Sequence, residues 1–342
     1  MAYKLIEGGG VTTPQGFLAG ACYVGVKSRK SEKPDVAIIY SEQPASCAAM
    51  FTTNKFCAAP VILDREILKK GKARAVVINS GNANAATGTQ GIEDAKRVET
   101  EAEKLLNLGE DEVFVCSTGV IGQKLPVEKV LDGVRRIVPE LSKDKGTDAA
   151  WAIMTTDTVR KEVAYEMELS GGTVRIGAMA KGSGMIHPNM ATMLAYITTD
   201  AKVDASVLQG MLKKSTDKSF NMMTVDGDTS TNATLFLLAN GASGVAIETE
   251  EDKAAFAELL DSICMDMALR IASDGEGATH LMVVEAYGLP TEKDAKLVAR
   301  SIAGSTLFKA ALFGKDANWG RIMAAAGYSG ADVDTTKADC IL

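Results

Sequence analysis

At 342 residues the chain has room for two domains or one large one, and 46% hydrophobic with 24% charged residues is the balance of a globular protein with a buried core. A net charge of −7 argues against nucleic acid or an anionic membrane as the main partner, because both select basic surface. With no apolar stretch in the first ten residues, no run near the roughly 18–20 apolar residues of a membrane span, and six cysteines without CxxC spacing, the chain reads as cytoplasmic with reduced thiols.

Aromatic residues make up only 5%, whereas glycine reaches 32 and methionine 15, so the core is built from small aliphatic side chains and close backbone contacts. Residues 36–40 and 75–79 read as strands. NSGNANAATG (79–88) follows, as packed turns or as a loop beside a site. Helical periodicity over 91–106 leads to a strand at 112–116. At the end of that strand stand Ser117, Thr118 and Gly119. A hydroxyl and a glycine N–H at a strand end can converge on one oxygen, as an oxyanion hole requires; the plainer reading is a capped turn. A helix over 127–138 precedes Met154-Thr155-Thr156-Asp157-Thr158, a hydroxyl cluster that suits a cap, a turn or a polar site. Residues 161–169 and 173–179 flank Gly171-Gly172 and predict a hairpin.

Next comes GAMAKGSGMIHPNMATMLAYITT (177–199), where a Gly- and Pro-containing loop ends at Thr192 and strand-like alternation begins at once. Gly182 and Gly184 admit backbone conformations closed to other residues, and Thr favours strands. Such a join can strain one peptide bond against a neighbouring hydroxyl, with roughly 1–3 kcal/mol stored. Attack of the Thr192 hydroxyl on the Ala191 carbonyl would split the chain and leave Thr192 with a free α-amino group beside its own hydroxyl, an activated nucleophile. An ordinary loop entering a buried strand is the alternative.

Beyond it, helices are predicted over 204–218, 251–271 and 292–302, and strands over 234–238 and 282–286. Asp226-Gly227-Asp228 lacks the sixth-position glycine and the terminal glutamate of a calcium loop, so a polar network supporting the preceding loop is preferred. Taken singly, Lys181 and Glu276 are solvated charges, although Gly275 and Gly277 around Glu276 suggest close backbone approach. Two histidines, His187 and His280, leave little room for a Ser-His-Asp triad or a histidine metal set, and a nucleophile carrying its own amine suits such a chain. Strands that alternate with helices but include hairpins imply an α/β protein of mixed sheets layered with helices.

KGSGMIHPNMATML (181–194) resembles the self-cleavage segment of the ornithine acetyltransferase family of arginine biosynthesis. NSGNANAATG, CSTGVIG (116–122), MTTDT (154–158), NMMTVDGDTSTNAT (221–234), DGEGAT (274–279) and DANWGRI (316–322) agree with that family in the same order. The likeness runs from about Gly9 to the last residues. Ala317 stands where the family usually has Pro, and family members continue for several dozen residues past Leu342, so the chain is expected to be C-terminally incomplete. The resemblance implies an N-terminal-nucleophile-like, self-cleaving fold, with an alpha chain of residues 1–191 and a beta chain of 192–342. It implies Thr192 as nucleophile, Thr118 and Gly119 as oxyanion donors, and Thr155, Lys181, Thr192 and Glu276 in the substrate pocket. The implied reaction carries acetyl from N2-acetylornithine to glutamate by a ping-pong route, with no metal or organic cofactor; some members also take acetyl-CoA. The two cleaved pieces would stay together, as a dimer of the pair. Two other functions fit the residues: an N-terminal-nucleophile aminopeptidase or amidohydrolase, which would pass the acyl group to water, and an uncleaved binding protein for small amino acids.

Overall fold

Runs of Val, Ile and Ala become strands, and the periodic charged stretches between them become helices. The structure is a computed structural model that describes residues 3–27, 33–187 and 193–342. Its first part contains β1 (Tyr3–Leu5), β2 (Phe17–Cys22), β3 (Val36–Phe51), α1 (Ala59–Ile67), β4 (Lys72–Asn82), α2 (Gly88–Leu106), β5 (Val113–Val120), α3 (Val127–Ile137) and α4 (Gly146–Ala152). There follow β6 (Lys161–Leu169), β7 (Gly172–Lys181), β8 (Leu194–Thr199), α5 (Ala205–Lys218), β9 (Thr234–Ala239) and α6 (Glu250–Ser273). The last helices are α7 (Glu292–Gly304), α8 (Thr306–Phe313) and α9 (Trp319–Gly327). The proposed cleavage pair, Ala191 and Thr192, lies outside the described residues.

The strands share one sheet, ordered β1-β6-β7-β8-β9-β3-β4-β5, with β2 beside β3. β4–β5 and β8–β9 are parallel pairs and the others antiparallel, so the sheet is mixed. β3 carries it around a corner. Its register against β4 breaks between Tyr40 and Ala45 and resumes only for Ala45 and Ser46, and from Ser46 to Phe51 it pairs with β9. An interrupted register of this kind bends a strand. The two halves of the sheet then face one another: Phe114 of β5 stacks on Phe236 of β9 at 4.2 Å, although the two strands are not neighbours in the sheet. Ile39, Ile78, Met179, Tyr196 and Leu238 belong to the same inner core.

Alternate residues point the other way, as the pleat demands. Val36, Ile38, Val77 and Val115 pack under Val98 and Ala102 of α2 and Val130 and Val134 of α3. Ile176, Ile197, Leu235 and Leu237 pack under Leu208 and Leu212 of α5 and Leu259 and Ile263 of α6. The layers run helices, half-sheet, half-sheet, helices, which is the mixed, helix-layered α/β arrangement expected from the sequence. Strands covered on both faces read as nearly continuous apolar runs, and these do.

The hairpin forms with Leu169 opposite Gly172, so Ser170 and Gly171 make its loop. The strand expected at 282–286 does not form. Met282, Val284 and Ala286 pack on a small cluster with α7–α9, while Leu281, Val283 and Tyr287 are exposed, and no strand among the described residues pairs with the segment. One-sided packing satisfied the alternation without a ladder. Among the described residues no helix is long and apolar enough to cross a membrane. One topological fact bears on the expected cut: β8 and β9, which follow residue 192, lie between β7 and β3, which precede it.

Candidate active site

The parallel strands β4 and β5 end together, with Gly81 opposite Gly119. Gly119 has φ +134°, a conformation L side chains rarely adopt, and a Cβ there would stand 2.3 Å from the carbonyl carbon of Gly81. Gly81 in turn packs on the backbone of Lys27. Thr118, 4% exposed, has no hydrogen-bond partner for its hydroxyl among the described residues. Behind it Ser117 donates to Asn79 Oδ1 at 2.6 Å, and Asn79 donates to the Asn82 carbonyl at 2.9 Å. The turn is therefore rigid, with one hydroxyl left to offer.

Lys181 ends β7 and is 3% exposed. Its closest carboxylate is Asp157, at 3.9 Å, and its ammonium makes no hydrogen bond among the described residues. Burial pulls its pKa down, helped by the charge of Lys161, while Asp157 and Glu276 hold it up. Asp157 is committed elsewhere. It accepts from Lys161 Nζ at 2.8 Å, Gly182 N at 2.7 Å and Thr155 N at 3.0 Å. Lys161 also donates to Asp274 at 2.6 Å, and Asp274 takes the N–H and hydroxyl of Thr158. Burial alone would raise both carboxyl pKa values. The charges of Lys181 and Lys161 on Asp157, and hydrogen bonds from Lys161 and Thr158 on Asp274, outweigh it and hold them below the usual range.

This network pins the loop after β7. Ser183 donates to the Asp274 carbonyl at 2.7 Å, and Glu276 N donates to the Ser183 carbonyl at 2.9 Å. The Glu276 side chain covers Gly184 so closely that a Cβ there would lie 2.6 Å from its carboxyl carbon. Glu276 also borders a cavity of about 550 Å³ with Met222, Met265, Leu281 and Phe313. Asp226 takes the N–H groups of Met185 and Ile186, and Thr224 Oγ1 lies 3.1 Å from His187 Nδ1. The described chain resumes at Met193, whose carbonyl accepts from Thr234 N at 3.0 Å.

Lys181, Thr155 and Glu276 thus gather around Asp157 and the 182–184 loop. Thr118 and Gly119 end β5 and make no direct contact with that group among the described residues; the link runs through Gly81 to Lys27, whose ammonium donates to the Ala152 carbonyl at 3.1 Å, just before the Thr155 segment. Thr192 and Ala191 lie outside the described residues. Asp157 and Asp274 stand within motifs visible in the sequence but carried no assigned role, and Lys161 had no signal beyond opening a strand. Among the described residues no three His, Cys, Asp or Glu side chains converge as a metal site would require. Chemically, a rigid turn with a free hydroxyl, a buried cation lacking a close partner and a nearby anion suit a substrate with a carboxylate at one end and an ammonium at the other.

The ArgJ family model matches residues 18–342. The arginine biosynthesis bifunctional protein ArgJ of Caldanaerobacter subterraneus subsp. tengcongensis is 50% identical over 336 residues, which are 98% of this chain and 83% of that one. The glutamate N-acetyltransferase of Methanocaldococcus jannaschii is 49% identical over 338 residues, 98% of this chain and 82% of that one. Among solved structures, a chain of the Mycobacterium tuberculosis ornithine acetyltransferase complexed with ornithine is 39% identical with a TM-score of 0.51, covering 55% of this chain and 98% of that one.

Proposed function

The chain belongs to the ArgJ family, and from that premise we propose that it carries the acetyl group of N2-acetylornithine to glutamate through an acetyl ester on Thr192, after cutting itself between Ala191 and Thr192. It is an acetyltransferase of arginine biosynthesis, as its relatives are named. The observation that carries the substrate reading is Lys181: a buried ammonium whose closest carboxylate is 3.9 Å away and already engaged by Lys161 and Gly182. An α-carboxylate would supply what that cation lacks, Glu276 would meet the side-chain ammonium of ornithine, and Thr155, whose N–H binds the same Asp157, would complete the pocket.

In the first half-reaction the α-amino group of Thr192, with an ordinary pKa of about 7.7–8.0, takes the hydroxyl proton. The Thr192 oxygen bonds to the acetyl carbon, and the oxyanion is met by the Thr118 hydroxyl and the Gly119 N–H. The carbon–nitrogen bond then breaks and ornithine leaves with the proton on its amine. In the second half the α-amine of glutamate attacks the ester, the carbon–oxygen bond breaks, and Thr192 recovers its proton. No metal or organic cofactor enters the scheme.

Two facts support the cut. The 191 residues before Thr192 are about 56% of the 342, close to the 55% of this chain that the solved relative covers with 98% of its own length. And the strands after the cut are hydrogen-bonded on both sides to strands before it, so the pieces would hold together. The test is an assay of purified protein with glutamate and either N2-acetylornithine or acetyl-CoA, beside a denaturing gel. Two bands and transfer from N2-acetylornithine are expected. A single band near 36 kDa with no transfer from either donor would overturn the reading.

A further inference from the structure

Asn232, 5% exposed, spends both hydrogens of its side-chain amide on two backbone carbonyls, Ala83 O at 2.6 Å and Ser117 O at 2.7 Å. Both partners are acceptors, so the NH₂ end must face them, and Oδ1 accepts from the Thr231 hydroxyl at 2.6 Å. Ser117 immediately precedes Thr118, and Ala83 is the first residue after β4. Two residues beyond Asn232, the N–H of Thr234 binds the carbonyl of Met193. The segment bearing Asn232 is itself anchored: Ala58 N donates to Thr231 O and Thr52 N to Ala233 O, each at 2.8 Å. One buried side chain therefore spans the strand that carries the Thr118–Gly119 turn and the strand that binds the start of β8.

We propose that Asn232 is a positioning residue that sets the spacing between the Thr118–Gly119 turn and the start of β8, to which the proposed nucleophile is joined. The proposal rests on the transferase reading above. Asn232 acts through carbonyls behind the site, so its loss shifts the donors relative to the reacting carbon and leaves the charges that bind substrate in place. A displacement near 1 Å costs about 10²-fold in rate. The effect therefore falls on kcat.

The experiment compares Asn232→Ala and Asn232→Ser, each alone and combined with Thr118→Ala, with initial rates for N2-acetylornithine and glutamate normalised to cleaved chain on a denaturing gel. Asn232→Ala is expected to lower kcat about 10- to 100-fold with KM within about 2-fold, and serine, keeping one donor, to fall between alanine and the wild type. Combined with Thr118→Ala, either variant is expected to lose less than the product of the two single losses, because the Thr118 contact that Asn232 positions is already gone and only the Gly119 N–H remains to be displaced. Losses that multiply in the double variants, or a KM that rises as far as kcat falls, would reduce Asn232 to a packing residue. If Asn232→Ala does not fold, the serine pair decides by the same comparison. Should Thr118→Ala alone leave kcat unchanged, the oxyanion assignment fails and takes this proposal with it.

Discussion

Gly119 and Gly81 touch backbone to backbone, where a Cβ on Gly119 would lie 2.3 Å from the Gly81 carbonyl carbon and 2.5 Å from Asn82 N. With φ +134° as well, Gly119→Ala combines steric overlap with backbone strain of about 1–3 kcal/mol. The denaturant midpoint should fall at constant slope, and transfer activity should drop with it because the N–H moves. A variant with wild-type midpoint and full activity would show that the turn yields freely and that its geometry is not what the reaction uses.

Lys161 holds Asp157 and Asp274 at 2.8 and 2.6 Å in a site where all three are nearly excluded from water. Lys161→Met leaves two carboxylates without their shared cation and should cost roughly 3–5 kcal/mol, the usual penalty for breaking a buried pair from one side. The wild type carries an acid signature of the same network. Both carboxyls have folded pKa values depressed below an unfolded value near 3.9, so the stability they contribute is complete above that pH and is lost as pH falls through the folded values. Unfolding free energy measured between pH 6 and 2 should therefore drop below about pH 4 in the wild type, and less so in Lys161→Met. Identical acid limbs in the two proteins would dissociate the network from stability.

Thr192→Ala should give one intact chain and no transfer, because cleavage and acyl attack both need the hydroxyl. In the wild type the two pieces should co-elute in native size exclusion and separate only in denaturant, since β8 and β9 are paired with β7 on one side and β3 on the other. Efficient cleavage of the alanine variant would remove Thr192 from the mechanism. Separation of the pieces in buffer alone would contradict the interleaved sheet.

Transfer should follow ping-pong kinetics. Ornithine and glutamate are both α-amino acids, and one Lys181 can serve only one α-carboxylate at a time, so a covalent acetyl carrier lets the first product leave before the second substrate binds. Double-reciprocal plots should be parallel. Mass spectrometry of the Thr192-led chain, after N2-acetylornithine without glutamate, should show one added acetyl group. Intersecting lines with an unmodified chain would point to direct transfer in a ternary complex.

Local pattern explains which elements were legible. The helices over Gly88–Leu106 and Glu250–Ser273 announce themselves by periodic apolar positions. The strands flanking Ser170-Gly171 announce themselves by alternation and a turn glycine. Short elements did not. The helices Ala59–Ile67 and Gly146–Ala152 span too few turns for a period to show, and the three-residue strand Tyr3–Leu5 exists only because Met167, Glu166 and Tyr165 stand opposite it. Residues 282–286 failed in the other direction. Their alternation is real, but a strand needs a neighbour, and that requirement is invisible in five residues.

The sequence by itself determined two patterns to look for, a hydroxyl-glycine turn at Thr118-Gly119 and a Gly-rich loop running into Thr192, while Lys181 and Glu276 read singly as solvated charges and entered a pocket only through the resemblance. Each pattern is a matter of residue type over a few positions. Tertiary structure alone decided how those pieces are held. The bond from Asn232 to Ser117 spans 115 positions and that from Lys161 to Asp274 spans 113, and neither leaves a trace in local pattern because an asparagine or lysine in a polar stretch looks the same with or without a distant partner. Nor could periodicity reveal that β3 bends to lay Phe114 on Phe236. Those relations exist only once the chain has closed on itself, because a buried polar group is stable only where folding has delivered its partner.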